Sequence, residues 1–307
     1  MSERPEEPAA APAYERGAPG ASLTDLLLVA MSLIWGINYS VVKYGTGVVA
    51  PLAYNGVRIT MAAVALLAVV AFTRRPMPAR RDLLTLLGLG VLGNGIYQVF
   101  FIEGVARSRA GDAALVLAAS PAFIAIFGRL LGVERISARG VLGIALSLCG
   151  MAFVVYGREL AGGGGEATLV GNLLILAGSV VWSLYSVLLK PRADHLDVVT
   201  ISAFTMAGGA VVMLAAGAPA LARTAWADVG PLAWMAMVYS GLFALVIAYL
   251  FWYRGVQRLG PTRTAMYSNL QPVIALGAAW ATLGEVPTSW QALGAGTIIA
   301  GVVLTRT

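Results

Sequence analysis

The sequence predicts an all-α polytopic membrane protein, with ten transmembrane helices arranged as two inverted five-helix repeats. The composition is the first reason: 59% of the 307 residues are hydrophobic and 12% are charged, whereas soluble domains carry about 25% charged residues. Long runs without Asp, Glu, Lys or Arg are the second reason, because soluble helices are rarely free of charge on every face. The third reason is an internal duplication, which is best sought before any other feature.

Ten stretches are long and apolar enough to cross a bilayer. A spanning helix needs about 20 apolar residues at 1.5 Å each to cross roughly 30 Å of hydrocarbon. The sequence contains ten such segments: about 24–44, 52–72, 83–106, 111–132, 138–156, 168–189, 197–217, 231–253, 262–283 and 289–305. Each is predicted to cross the membrane as one helix.

The duplication relates the two halves of the chain. A shift of 151 positions superimposes Gly104 on Gly255, Pro121 on Pro272, and Gly150 on Gly301. The front of each half matches at shifts of 147 and 145 positions. Each half therefore holds five helices, and because five is odd the second copy crosses the membrane upside down relative to the first. Inverted repeats of this kind are typical of transporters.

The same pattern divides the chain into four parts. Residues 1–23 are rich in Pro, Ala and Glu and are predicted to form a disordered cytoplasmic tail. Residues 24–156 form the first five-helix repeat, and residues 168–307 form the second. Between them, residues 157–167 contain four consecutive glycines and are predicted to be a flexible linker.

The basic residues predict the orientation. Fifteen Lys and Arg residues fall on the side that carries the N-terminal tail, and five fall on the opposite side. Because positively charged loops stay in the cytoplasm, both termini are expected to be cytoplasmic. We expect a multi-pass protein of the cell (inner) membrane.

Several kinds of chemistry are disfavoured by the composition. The chain has one histidine, His195, and one cysteine, Cys149, so we expect no catalytic residues, no metal site and no cofactor. The net charge of +6 could indicate a nucleic-acid partner, but the arginines lie at helix ends and are better explained as membrane anchors. The expected partners are a small-molecule solute and the lipid bilayer, and a monomeric state is compatible with them.

Landmarks in a shared order point to one family of transporters. They are Trp35-Gly36, Asn38 and Lys43 on segment one, Arg58 on segment two, Ser120-Pro121 and Glu134 around segment four, and Pro272 with Leu283-Gly284-Glu285 around segment nine. With these residues the chain resembles the EamA-type branch of the drug/metabolite transporter superfamily. The resemblance implies secondary transport, often the export of amino acids or other small metabolites. The second repeat departs from the first at Arg58, whose counterpart is Ala203.

Two prolines near the middle of segments four and nine are the predicted helix breaks. Pro121 and Pro272 each remove a backbone donor and so free the carbonyl groups of Leu117 and Ser268. In lipid a freed carbonyl must find a partner or line a cavity. The prolines are therefore expected to shape a central cavity, and a simple packing kink is the alternative.

Polar and aromatic side chains at similar depth are the candidate substrate-binding residues. Asn94 and Gln98 are four residues apart and are expected to share a helix face. The aromatic residues could instead pack against one another or lie at the membrane interface. The full candidate set is Arg58, Trp35, Asn38, Asn94, Tyr97, Gln98, Ser120, Trp182, Tyr185, Tyr249, Asn269 and Gln271.

Arg58 is the most specific candidate. It lies roughly 10 Å below the nearer membrane surface at 1.5 Å per residue, a depth at which charged residues usually face the interior of a helix bundle. It is predicted to bind a substrate carboxylate or to gate the cavity, with snorkelling and a structural ion pair as alternatives. Glu103 is its candidate gating partner, although Glu103 could also pair with Arg107 one turn away.

These features predict a secondary transporter that moves a small metabolite, an amino acid or a similar solute, by alternating access around a central cavity. Export is the expected direction. A sugar-phosphate or nucleotide-sugar exchanger is the alternative within transporters, but it would need several basic groups to bind phosphate. A multi-pass membrane enzyme is the alternative from another class.

Overall fold

The computed structural model describes residues 22–132, 138–160 and 166–305. Within these ranges the chain is helical and contains no β-strand. The predicted tail up to residue 21, Glu134, and residues 161–165 of the predicted linker lie outside the described residues. The ten helices are α1 (Leu23–Val48), α2 (Pro51–Phe72), α3 (Arg80–Arg107), α4 (Ala110–Leu130), α5 (Ala138–Leu160), α6 (Glu166–Ala193), α7 (Val198–Arg223), α8 (Pro231–Leu259), α9 (261–283) and α10 (Ser289–Thr305).

Each of the ten predicted segments corresponds to one of these helices. Seven of them, α1–α4 and α6–α8, are long and apolar enough to cross a membrane by length and composition. The three others are shorter or interrupted: the apolar part of α5 covers Arg139–Val154, α9 is broken by a 3₁₀ turn, and α10 has 17 residues. The prediction of an all-α polytopic membrane protein is confirmed.

Proline and glycine mark the ends of several helices. Pro51, Pro231 and Pro261 occupy the first turns of α2, α8 and α9, where the missing N–H has no intrahelical acceptor in any case. Gly284 ends α9 with φ 67°, a left-handed conformation that glycine adopts without steric cost. These short connections make successive helices antiparallel. We call the side at which α1 begins the near face and the side at which α1 ends the far face.

The contact between α5 and α10 displays the inverted symmetry directly. A Cβ atom added at Gly150 would lie 2.8 Å from the carbonyl oxygen of Gly294, and one added at Gly301 would lie 2.5 Å from that of Gly143. Exchanging the two halves of the chain maps each of these contacts onto the other. The two helices run antiparallel and touch through backbone, as small residues allow in lipid.

Two π-helical stretches occupy equivalent places in α3 and α8. They cover Val91–Ile96 and Tyr239–Ile247 and end 151 positions apart. Gly90, just before the first stretch, and Gly241, within the second, approach the other repeat closely. A Cβ added there would lie 2.1 Å and 3.1 Å from backbone oxygens of α7 and α2. Because a π turn holds an extra residue, side chains beyond it leave the phase that a regular helix would give them.

Ion pairs join the two repeats at the near face. Arg75, which follows α2, lies 2.6 Å from Asp197, which caps α7. Asp82 at the start of α3 lies 2.9 Å from Arg192 at the end of α6. Both pairs connect the α2–α3 region of the first repeat with the α6–α7 region of the second.

Gly301→Ala is expected to destabilise the protein, because the added methyl group would meet the backbone of α5. Overpacking of this kind costs about 1–3 kcal/mol, which should lower the melting temperature of the detergent-purified protein by several degrees. Gly296→Ala, on the same helix with open space around the new Cβ, is the matched control and should leave it unchanged. Equal melting temperatures for the two variants would contradict the close α5–α10 contact.

Asp197→Asn should reduce stability in a pH-dependent way. Burial raises the pKa of the Asp197 carboxyl, but hydrogen bonds from the first turn of α7 and the charge of Arg75 together hold it below its usual range. The stabilisation is therefore present above the unfolded-state pKa and is lost as the pH falls through the folded-state value. We expect the wild type to melt higher than the variant at neutral pH and the difference to shrink below about pH 4. Asp194→Asn, at an exposed carboxyl paired with Lys190, should show little difference at any pH.

Candidate functional site

A central cavity lies between the two repeats, near the middle of the helices. It holds about 630 Å³ of empty space, its mouth included, and side chains from seven helices line it. Nine of the twelve predicted binding residues are in its wall: Trp35, Asn38, Arg58, Tyr97, Gln98, Ser120, Trp182, Tyr249 and Gln271. That they bind a solute stays a prediction.

Aromatic rings form most of one wall. The Trp182 ring centroid lies 5.1 Å from that of Tyr97, 5.4 Å from that of Trp252 and 5.7 Å from that of Tyr249. Trp35 completes the group at 5.6 Å from Tyr249. Edge-on and tilted ring pairs at such distances stabilise one another beyond their buried area, so this wall is a packed and ordered surface.

Arg58 brings the one charged side chain to the described lining of the cavity. It is 1% exposed, and its guanidinium lies over the ring of Phe101 at 5.8 Å from the centroid. Its Nε and Nη1 atoms have no hydrogen-bond partner among the described residues. The titratable side chains that act on its charge are the phenols of Tyr54, Tyr249 and Tyr97. Arg58 therefore neither snorkels to the surface nor forms an ion pair with a described residue.

The polar residues around the cavity are only partly satisfied. The Asn38 Oδ1 atom accepts a hydrogen bond from Ser240 at 2.7 Å, and the Trp35 indole donates to the carbonyl of Ala244 at 2.8 Å. The Gln98 amide nitrogen donates a hydrogen bond to the Tyr249 hydroxyl at 3.5 Å. These bonds fix the orientation of the side chains from which the cavity is built.

At the break caused by Pro121, a neighbouring hydroxyl group bonds the freed backbone carbonyl. The carbonyl of Leu117, which the proline leaves without its helical donor, accepts a hydrogen bond from Ser120 Oγ at 2.6 Å. The same hydroxyl lies 2.8 Å from Ser179 Oγ on α6. Ser120 and Pro121 both line the central cavity, so the helix opens at the place where the cavity lies.

The break at Pro272 opens elsewhere. A 3₁₀ turn, Ser268–Leu270, precedes it, and Ser268 lines the central cavity. Pro272 itself lines a second, mostly apolar cavity of about 290 Å³, together with Asn269. The two prolines are equivalent in sequence but do not face the same space.

Three predicted binding residues lie outside the central cavity. Asn94, within the π-helical stretch of α3, packs against Gly209 on α7. The Tyr185 hydroxyl bonds to that of Tyr253 at 2.6 Å, and the Tyr185 ring packs against that of Trp182. Asn269 lines the second cavity. Their positions in the sequence did not give the direction in which they point.

Glu103 forms the local pair with Arg107 rather than a pair with Arg58. Its carboxylate lies one turn from the far-face end of α3, and it is no part of the described cavity lining. The contact between Glu103 and Arg58 is therefore absent from the described structure. Near it, Glu285 accepts from the backbone N–H of Ala110 at 3.3 Å and so caps α4.

Phe101 and Trp252 line the cavity but were not predicted to bind solute. They are equivalent under the shift of 151 positions and follow Gln98 and Tyr249 by three residues, which places them one turn further along the same helix faces. This spacing was the sequence feature that could have identified both residues as part of the cavity wall.

The fold and the cavity together define a class of protein: a polytopic membrane transporter built from inverted repeats around a central cavity. The family model described as EamA-like transporter family matches residues 22–156 and again residues 169–307. The chain belongs to the EamA-like transporter family.

Relatives agree with this assignment along most of the chain. Uncharacterized inner membrane transporter YedA of Escherichia coli (strain K12) is 30% identical over 281 residues, which cover 90% of this chain and 88% of YedA. Uncharacterized transporter YyaM of Bacillus subtilis (strain 168) is 24% identical over 280 residues, covering 91% and 92%. A crystal structure of another protein superposes with a TM-score of 0.68 at 22% identity, covering 94% of this chain and 99% of that one. At that identity the superposition shows the fold alone.

Pro121→Ala should slow transport without destabilising the protein. The alanine supplies the backbone donor that Leu117 lacks, so α4 can close its break and narrow the cavity. We expect an initial rate about tenfold lower in proteoliposomes and an unchanged or higher melting temperature. Pro219→Ala, at an exposed proline inside α7 away from the cavity, is the control and should transport normally. An unchanged rate in Pro121→Ala would exclude a role for the break.

Proposed function

We propose that the protein is a secondary transporter that exports a small metabolite, an amino acid or a similar solute, by alternating access around the central cavity. The observation that carries this proposal is Arg58, a buried cation without a described ion-pair partner, in the wall of an aromatic cavity between inverted repeats. A cation at this depth costs free energy, and charged residues buried in membrane proteins usually have a function. Binding a solute carboxylate would supply the missing partner.

The near face is proposed to be cytoplasmic, with both termini on that side of the inner membrane. The basic residues that end α6 and α8 and those that begin α3 support this orientation, since such residues collect on the cytoplasmic side. The transporter is proposed to act as a monomer, because the cavity is built within one chain.

Exchange of a phosphorylated solute receives less support. Phosphate recognition usually employs several basic groups, and the described lining of the cavity contains Arg58 as its single basic residue. The described lining also contains no Asp, Glu or His. Facilitated diffusion or solute exchange is therefore as compatible with the site as proton antiport.

Arg58→Gln tests this role in proteoliposomes. Wild-type protein loaded with an unlabelled mixture of amino acids and related carboxylic acids should accumulate at least one labelled member of that mixture by counterflow at clamped pH. The variant should need between about tenfold and a hundredfold more solute for half-maximal exchange, the loss expected for a charge-assisted hydrogen bond. Arg223→Gln, at an exposed arginine that ends α7, is the matched control and should behave as wild type.

Two outcomes would count against the proposal. If wild-type protein moves no labelled metabolite from a broad panel, the transport function itself is wrong. If Arg58→Gln exchanges solute as the wild type does, the site is wrong while the transport function stands.

A further inference from the structure

The charge of the cavity restricts the chemical class of the solute more than membership of the transporter family does. Among the described residues that line it, Arg58 is the single formal charge and there is no carboxylate. An amino-acid zwitterion would bring its own ammonium group and leave the occupied cavity with a net charge of +1. A monocarboxylate without an ammonium group would leave the occupied cavity neutral. Because an uncompensated charge is costly at this depth, the monoanion is the better match.

The unpartnered polar atoms favour the same solute. The buried donors of the cavity wall that lack a described partner are Arg58 Nε and Nη1, Trp252 Nε1 and Gln271 Nε2. The one buried acceptor in that state is Gln98 Oε1. Amide groups can be assigned in either orientation, but guanidinium and indole groups donate only. Among these unpartnered buried side-chain atoms, a carboxylate would find several donors, whereas an ammonium group would find one acceptor.

The layout of these groups sets the shape of the solute. The Arg58 guanidinium lies over Phe101, and the Phe101 ring centroid lies 5.8 Å from that of Tyr97. From Tyr97 the rings continue through Trp182 to Trp252, in steps of 5.1 Å and 5.4 Å. Successive ring contacts thus connect Phe101, over which Arg58 lies, with Trp252, whose indole N–H has no described partner.

We infer that the solute is an apolar or aromatic monocarboxylate that carries no ammonium group. Its carboxylate binds Arg58, its body lies along Tyr97 and Trp182, and a neutral acceptor on that body, where it has one, binds Trp252. This inference rests on the proposed transport function. Within the proposed class of amino acids and similar solutes, it selects the amine-free acids that keep the carboxylate and the apolar side chain.

Three solutes that share a phenyl ring and a two-carbon spacer test the inference on the wild-type protein. They are 3-phenylpropionate, phenylalanine, and phenethylamine, at pH 7.5. We expect 3-phenylpropionate to stabilise the purified protein in a thermal-shift titration with a midpoint at least about tenfold lower than that of phenylalanine. Phenethylamine should not stabilise it. The same order is expected for competition in counterflow.

Substitutions at Arg58 and Trp252 test which side chains recognise the solute. Arg58→Gln should abolish the preference for 3-phenylpropionate, and Arg58→Lys should keep part of it, because lysine keeps the charge but loses the planar fork of donors. Trp252→Phe keeps an aromatic ring but removes the indole N–H. It should weaken binding of 3-(4-hydroxyphenyl)propionate, whose hydroxyl can accept that bond, more than binding of 3-phenylpropionate.

The outcomes separate this inference from the proposed function. Phenylalanine binding as tightly as 3-phenylpropionate, or stabilisation by phenethylamine through cation–π contact with the aromatic wall, would overturn the inference. Counterflow of phenylalanine without that of 3-phenylpropionate would also overturn it and would leave the proposed transport function standing. If neither these solutes nor a wider metabolite panel exchange, the proposed function fails first.

Discussion

Every peptide group inside a bilayer must find its hydrogen bond within the protein, since hydrocarbon offers none. This constraint explains both the ten helices and the few places where they are irregular. Where Pro121 removes a donor, the Ser120 hydroxyl bonds the carbonyl of Leu117. The π-helical stretches of α3 and α8 keep their backbone bonded in another register. Irregular backbone is thus confined to helices that surround the central cavity.

Close steric packing holds the two repeats together more than polar interactions do. Lipid tails are as apolar as leucine side chains, so helices in a membrane associate through close packing rather than through exclusion of water. Gly150 and Gly301 let α5 and α10 meet backbone to backbone, and the ion pairs at the near face are confined to the ends of the helices. A frame held by packing can tolerate different arrangements of its polar ends, as a transporter requires.

The sequence predicted the architecture well because an internal duplication and long apolar runs can be recognised in the linear sequence. Nine of the twelve predicted binding residues lie in the wall of one cavity. The sequence did not give the direction of the others: Asn94 packs against Gly209 of α7, and the Tyr185 hydroxyl bonds to that of Tyr253. Direction depends on which neighbouring helix a side chain meets, and the local sequence does not specify that packing. For Glu103 the structure shows the alternative that the sequence offered, the pair with Arg107 one turn away.

Arg58 breaks the symmetry that the rest of the molecule keeps. Its counterpart in the second repeat is Ala203, which is fully buried, so the cavity has a charged end and no charged twin. Without solute, the desolvated charge of Arg58 raises the free energy of every conformation in which the cavity is closed to water. A carboxylate solute would relieve that cost, so the loaded protein would reach closed conformations more readily than the empty one. A carrier with this property changes face mainly when it is loaded, and such a carrier favours exchange of one solute for another over a one-way leak.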